Sequence, residues 1–459
     1  MQKNEVLELI GIGLGPFNLS LATLLSKQPT IKGLFFEQKK EFNWHKSMIL
    51  PHTTLQVPFM ADLVTLIDPT SRYTFLNYLH TQHRLLKFYF LEDFEIYRQE
   101  YNHYCQWVAS QLDSLVFDAQ VVSITPAKND ELDHSGNFAV TVCERGKNKT
   151  YISKNIVIGT GSKPVLPLFL QGIAKQAPQH CMHTADYANC FDFEAIKRSD
   201  RLAKVLVIGS GQSAAEVYRA LFEQQLDDEQ QPKFQLNWMT RSAGFFPMEY
   251  APLGLEHFSP AYIDYFHALN TDIKTKVVAK QDLLHKGISF KTIRDIYHML
   301  YERSIGGQAL HSQIMANCAL LSAQSSVDNT SAKKKVCLTL QQHEQNQTFT
   351  VEYDCVIAGT GYSDLLPACL AELLPDIEHD ANGQPVINRN YTLNYQNGIN
   401  AHKDSGKIFV QNKETHSHGV GAGDLGLGAY RSACIVNQLA GATVYDTEAL
   451  EVFQSFGVR

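Results

Sequence analysis

The chain has 459 residues, 44% of them hydrophobic and 19% charged, with a net charge of −7. That balance fits a globular protein of two or three domains and excludes a disordered chain. The acidic excess argues against nucleic acid or an anionic membrane as partner, and no apolar run is long enough to cross a bilayer.

The N-terminus reaches an apolar run, residues 6–10, almost at once. This leaves no room for a secretory leader and predicts a cytoplasmic protein. Gly11-Ile12-Gly13-Leu14-Gly15-Pro16 follows, then Phe17 and Asn18. A strand that ends in glycines and opens a helix is a dinucleotide-binding fingerprint. The glycines let the backbone approach a pyrophosphate, whose charge meets free N–H groups at the helix start. Pro16 stands where a further glycine is expected, and proline is tolerated in a first helical turn. The next apolar run, residues 33–37, ends in Glu37. An acid at that spacing accepts hydrogen bonds from ribose hydroxyls and suits the adenosine of FAD or NAD.

Residues 128–136 are polar and read as a surface loop. A strand over 138–142 and another over 155–158, closed by Gly159-Thr160-Gly161, bring the chain back to the same sheet. The second fingerprint is Gly209-Ser210-Gly211-Gln212-Ser213-Ala214, after the apolar run 204–208. Its second strand, from residue 234, ends not in an acid but in Arg241 and Ser242. A guanidinium there favours a 2′-phosphate, so the expected second cofactor is NADPH. Residues 245–310 are aromatic-rich, with Ile293, Tyr297, Leu300 and Tyr301 at helical spacing, and read as a packed helical insert. Residues 321–335 are polar and read as a loop. A strand over 336–340 precedes Asp354–Gly361, a second return strand with a glycine turn.

Two nucleotide sites in one chain suggest a relay in which one cofactor donates hydride and the other receives it. The expected fold is α/β. Two Rossmann-like dinucleotide-binding domains are present, the NADPH domain inserted into the FAD domain, with a small helical substrate-binding region. Residues 1–195 form the first part of the FAD domain, 196–362 the NADPH domain with its insert, and 363–459 the last part. Nine cysteines are scattered without a CxxC pair, which fits reduced thiols and argues against a flavin disulfide reductase.

Beyond the two fingerprints, Asn43-Trp44-His45, Leu55-Gln56, Asp62-Leu-Val-Thr-Leu-Ile-Asp-Pro-Thr70, Tyr73-Thr-Phe-Leu-Asn-Tyr78, Ala358-Gly-Thr-Gly-Tyr362 and Ser417-His-Gly419 occur in order. Together they resemble the flavin-dependent N-hydroxylating monooxygenases of siderophore biosynthesis, the lysine, ornithine and diamine N-monooxygenases. The likeness runs from about residue 6 to residue 440. It implies that NADPH reduces FAD, that oxygen adds to give a C4a-hydroperoxide, and that a primary amine takes the distal oxygen. No metal and no side-chain nucleophile is implied. His416 and His418, at i and i+2, read as a loop motif near flavin rather than a metal pair.

The same resemblance implies the site residues. Gly11 to Ser20, with Gly13, Gly15, Pro16, Phe17 and Asn18, cradle the FAD pyrophosphate, and Glu37 holds the ribose. Trp44 and His45 line the FAD site. Gln56 is the catalytic candidate, beside the isoalloxazine ring and NADP⁺. Ser210, Gly211, Gln212, Ser213 and Arg241 bind NADPH. Gly423, Asp424 and Leu425 touch the flavin near the substrate mouth. Family members of this kind are homo-oligomers, so a tetramer or dimer is expected.

The chain departs from its relatives at the substrate. The amino-acid hydroxylases carry a lysine in Phe-Leu-Lys-Asp-Leu-Val that holds the substrate carboxylate. Here the stretch is Phe59-Met60-Ala61-Asp62-Leu63-Val64. The ornithine enzymes also carry an asparagine where Leu255 stands, and a serine near Gly426. A buried carboxylate without a charged partner is costly. Ala61, Leu255 and Gly426 therefore predict a primary amine without a carboxylate, putrescine first, then cadaverine or histamine. The alternative is L-lysine N6- or L-ornithine N5-hydroxylation.

Overall fold

The apolar run that begins at Val6 becomes the central strand of a parallel sheet. In the computed structural model, which describes residues 5–127, 136–197, 201–327, 334–394 and 406–458, Val6–Ile12 lies parallel between Gly33–Glu37 and Lys147–Ile158. Leu115–Phe117 extends one edge. Phe138–Glu144 and Ala119–Pro126 extend the other as an antiparallel arm. Ile408–Val410 returns from far along the chain to pair with Lys147–Ile158.

These central strands are apolar on both sides because both faces are covered. Leu9, Phe35 and Val157 face a core shared with the helices Pro16–Leu25, Arg98–Ala109 and Gly426–Ala440. Ile10, Ile12, Phe36, Ile156 and Ile158 face a second core with Phe138, Leu370, Leu373 and Leu393.

The second sheet is parallel throughout. Its order is Cys181–His183, Cys355–Ala358, Ala203–Ile208, Phe234–Met239, Ser312–Met315. All its strands fall between two stretches of the first sheet, so the second Rossmann-type module is inserted into the first. Cys181–His183, upstream of the expected boundary at 195, belongs to this second sheet. Helix Gln212–Glu223 packs on it, with Tyr218 stacked on Trp238 at 4.8 Å.

Two expectations are corrected. The polar stretch 321–335 is not simply a loop: Cys318–Val327 and Lys334–Gln342 pair antiparallel, with Gln347–Tyr353 as third strand. Its serines and glutamine sit on a half-wet ribbon, where alternation replaces a continuous apolar run. Residues 328–333 lie outside the described residues, as does nearly all of the expected loop 128–136. In the helical insert, Phe290–Arg303 forms one helix. Ile293 and Leu300 pack inward, but Tyr297 and Tyr301 are 67% and 68% exposed rather than packed.

All nine cysteines are free thiols. Among the described residues no helix is long and apolar enough to cross a membrane, and no cluster of metal-ligating side chains forms.

Candidate active site

Both glycine turns follow the carboxyl ends of parallel strands, which is where open α/β sheets bind ligands. In the first module the chain leaves Val6–Ile12 through Gly13, whose φ of +79° is open to glycine. A side chain there would also come within 3.0 Å of the Gly159 carbonyl. Gly15 then caps helix Pro16–Leu25 without any side-chain cap, and a Cβ built on Gly15 meets nothing within 4 Å. The backbone is therefore open at Gly15, where the helix starts. Pro16, buried at the helix start, forfeits only a donor that has no helical partner.

Glu37 stands at the end of its strand beside this loop. One carboxylate oxygen accepts the Leu14 N–H at 2.8 Å and the other the Lys39 N–H at 3.0 Å. Gln56, on strand Thr54–Pro58, presents a buried Nε2 with no hydrogen-bond partner among the described residues. A buried donor left unpaired costs about 1–3 kcal/mol. An open glycine cradle, an acid at the second strand end and an orphaned amide together fit FAD.

Other expected residues have work inside the protein. Gly11 is packed so tightly on Phe35 that a Cβ would sit 2.0 Å from its ring. Asn18 is fully buried; its Nδ2 donates to the carbonyls of Gly13 (2.7 Å) and Ile12 (3.3 Å), and its Oδ1 accepts from Gln411. Phe17 lies under the Arg431 guanidinium at 4.7 Å. Trp44 packs edge-on against Tyr101 at 5.4 Å. His45 has its pKa pushed down to about 4, mainly by the loss of water around the ring, with Arg98 and Lys39 adding to it, so the ring is neutral near pH 7.

The second module repeats the construction. Gly209 has φ +126° and lies against the Gly359 carbonyl. Gly211 caps helix Gln212–Glu223, with Ser213 in its first turn. Ser210 Oγ and Ser242 Oγ are 2.9 Å apart, joining the two strand ends. Arg241 is exposed beside them, with no hydrogen-bond or ion-pair partner among the described residues. A free guanidinium next to two hydroxyls fits a phosphorylated nicotinamide nucleotide. Gln212, by contrast, is committed to Glu216, Thr292 and the Ser289 N–H.

Among the residues expected at the substrate, Ala61 is 7% exposed. A Cβ on Gly426 would come 3.7 Å from that of Ala61, 3.7 Å from Leu66 and 2.9 Å from Asp424 Oδ1. Ala61 and Gly426 thus line one corner. Asp424 stands just before helix Gly426–Ala440 and accepts the Leu427 N–H at 3.0 Å, and burial raises its pKa. Gly423 is exposed at the preceding turn and Leu425 packs partly on the first core. Leu255, at the end of the short helix Pro252–Leu255, is half-exposed on the surface. The two oxygens of Glu256 beside it accept the N–H groups of Phe453 and Gln454. Asp62 is a buried hub that accepts from Val64, Thr65 and Phe75.

Sequence reasoning did not single out Arg431, Glu414 or Lys413. Arg431 and Glu414 form an ion pair at 2.8 Å, both almost wholly buried. Arg431 also donates to the Ala422 carbonyl at 2.7 Å, fixing the turn before Gly423. Lys413 Nζ donates to the Gly161 carbonyl at 2.7 Å. For Arg431 the sequence signal is a charge on the buried face of the helix Gly426–Ala440.

His418 is equally buried. Nε2 donates to the Arg389 carbonyl at 3.2 Å, Nδ1 lies 2.8 Å from Ser417 Oγ, and the ring stacks on Tyr391 at 4.5 Å. Burial holds its pKa well below 6.5, helped by His267, Arg389 and Arg431. The unfolded chain binds a proton below about pH 6.5 that the folded one refuses, so stability falls as pH drops below that point. His418→Gln should show a shallower fall in Tm between pH 7 and pH 5 than the parent; an equal slope would refute this.

Residues 5–364 match the family described as L-lysine 6-monooxygenase/L-ornithine 5-monooxygenase. The rhizobactin siderophore biosynthesis protein RhbE of Rhizobium meliloti is 43% identical over 98% of this chain and 95% of its own length. The putrescine N-hydroxylase of Shewanella oneidensis is 38% identical over 98% of this chain and 84% of its own. The FAD-bound cadaverine monooxygenase DfoA of Erwinia amylovora superposes with a TM-score of 0.87 at 34% identity, covering 99% of both chains. The ornithine N-hydroxylase KtzI of Kutzneria, with reduced FAD, NADP⁺ and L-ornithine, superposes with a TM-score of 0.83 at 26% identity, covering 95% of this chain and 99% of its own.

Proposed function

This chain belongs to the L-lysine 6-monooxygenase/L-ornithine 5-monooxygenase family, and we propose that its substrate is a primary amine without a carboxylate. Putrescine comes first, cadaverine next and histamine third. The enzyme is a flavin monooxygenase that uses FAD and NADPH for N-hydroxylation in siderophore biosynthesis. The single observation that carries the diamine reading is the burial of Ala61, a residue with neither charge nor hydrogen-bonding side chain, against Gly426. The names of the putrescine and cadaverine enzymes support it.

FAD, once reduced by NADPH, supplies the oxygen-activating chemistry. The chain's own residues do the rest. The helix start at Gly15 holds the pyrophosphate and Glu37 accepts from ribose hydroxyls. Gln56 donates its free N–H towards the ring system. The helix start at Gly211, with Ser210 and Ser213, holds the second pyrophosphate. A free alkylamine has a pKa near 10.4, and only its neutral form has a lone pair to offer. The site must therefore take up or create the neutral amine before it can attack.

The test offers the FAD-loaded enzyme putrescine, cadaverine, histamine, ornithine and lysine, with NADPH, and measures hydroxylamine product. Ornithine turnover without diamine turnover would refute the reading. Arg241→Ala should raise the KM for NADPH roughly 10- to 100-fold, the loss of a charge-assisted contact of about 1.5–3 kcal/mol. The KM for NADH should stay within a few-fold; equal changes for both would remove Arg241 from the 2′-phosphate.

We place the enzyme in the cytoplasm as a homo-oligomer, a dimer or tetramer. Its nine free thiols support a reducing compartment. The exposed run of Leu86, Tyr89, Phe90 and Phe94 supports a buried subunit contact.

A further inference from the structure

We propose that Arg98 and Glu216 form a latch that sets the nicotinamide module against the flavin module, and that Gln212 carries the latch to the second glycine cradle.

The connection is continuous. Strand Glu95–Tyr97 pairs with Thr54–Pro58, the strand that bears Gln56. Arg98 follows at once, its N–H donating to the Thr53 carbonyl at 3.0 Å. Its guanidinium donates to both oxygens of Glu216, each at 2.7 Å, and also to the Met48 carbonyl at 3.3 Å. Glu216 belongs to the other module, on the helix that begins at Gly211. Its Oε1 also accepts Gln212 Nε2 at 2.7 Å. Gln212 in turn donates to Thr292 Oγ1 and accepts the Ser289 N–H. One chain of hydrogen bonds thus runs from the flavin-side strand to the phosphate end of the nicotinamide-side helix.

The pair is well shielded, with side-chain exposures of 14% for Arg98 and 2% for Glu216. A buried ion pair adds little net stability over apolar packing of the same volume. What the bidentate fork does add is geometry, because two parallel bonds fix distance and angle together. The other polar contacts across this seam, such as Lys291 with Asp93, are single and more exposed. Hydride transfer needs that precision: reacting atoms must approach to about 3–3.5 Å, and a 1 Å misplacement costs on the order of 100-fold. Arg98 and Glu216 are positioning residues in this reading.

The test uses the full chain with FAD. In Glu216→Gln, anaerobic flavin reduction at saturating NADPH should slow by on the order of tenfold or more, with the half-saturating NADPH concentration changed far less. Arg98→Lys, which keeps the charge but loses the fork, should slow it by a smaller factor and serves where Glu216→Gln does not fold. A second readout needs no turnover. Hydrogen exchange of peptides 95–104 and 212–223 should speed up in the variants, while peptide 6–12 stays protected. Parental reduction rates, or unchanged exchange at the seam, in a variant that holds FAD would overturn the latch. No amine enters either measurement, so a failed substrate assignment leaves it standing.

Discussion

Ala61→Lys should lower kcat/KM for putrescine by roughly 100-fold while FAD content and NADPH-driven flavin reduction stay at parental levels. Ala61 is buried and shares its corner with Gly426 and Leu66. A lysine there sends an ammonium into the space that a diamine would occupy. At an effective dielectric of about 20, two like charges about 5 Å apart repel by about 3 kcal/mol, which is roughly two powers of ten in rate. The same ammonium offers a partner to a substrate carboxylate, so ornithine turnover should rise from its parental level. Hydroxylamine product, assayed for both amines, decides it. Undiminished putrescine oxidation would remove Ala61 from the substrate corner and with it the argument for a decarboxylated substrate. The neighbouring Asp424 carboxylate already accepts the Leu427 N–H at the start of the Gly426–Ala440 helix.

The parts of this fold that local rules govern were legible in advance. Both glycine turns and the strands that feed them follow from apolar runs, glycines and a helix start within a few residues. The place of Glu37 at its strand end, beside the first glycine turn, was legible because the apolar run before it stops there. Family likeness identified the chemistry, which no spacing alone would reveal. Pairings across long stretches of sequence were not legible. Arg98 meets Glu216, Asn18 meets Gln411 and Arg431 meets Glu414 only after two modules and a returning C-terminal segment have packed. Nor was the division of labour within a motif. Gly11 is small because Phe35 presses on it, and Gln212 is spent on Glu216 and the Ser289 turn. The ribbon over 318–342 was missed because polar residues on a half-wet antiparallel strand look like loop until the partner strand is known.

Gly209→Val should leave the protein loaded with FAD yet all but abolish flavin reduction by NADPH, by on the order of a thousandfold. Position 209 has φ +126°, where an L side chain is strained by about 1–3 kcal/mol, and its Cβ would lie 2.3 Å from the Gly359 carbonyl. The strand end has to move, taking Ser210 and the Gly211 cap with it and loosening the Trp238 Nε1 bond to the Gly209 carbonyl, now 2.7 Å. None of these atoms belongs to the first sheet, so dithionite should still bleach the flavin at the parental rate. Gly13→Val makes the mirror case: φ +79° and a carbonyl 3.0 Å away put the strain in the first cradle, and the protein should purify without flavin. Two lesions of one kind, about 200 residues apart, should therefore produce opposite defects, one in holding the electron acceptor and one in receiving the donor. A Gly209→Val protein that loses FAD, or that NADPH still reduces at full speed, would mean the second cradle does not hold the nicotinamide nucleotide independently of the first.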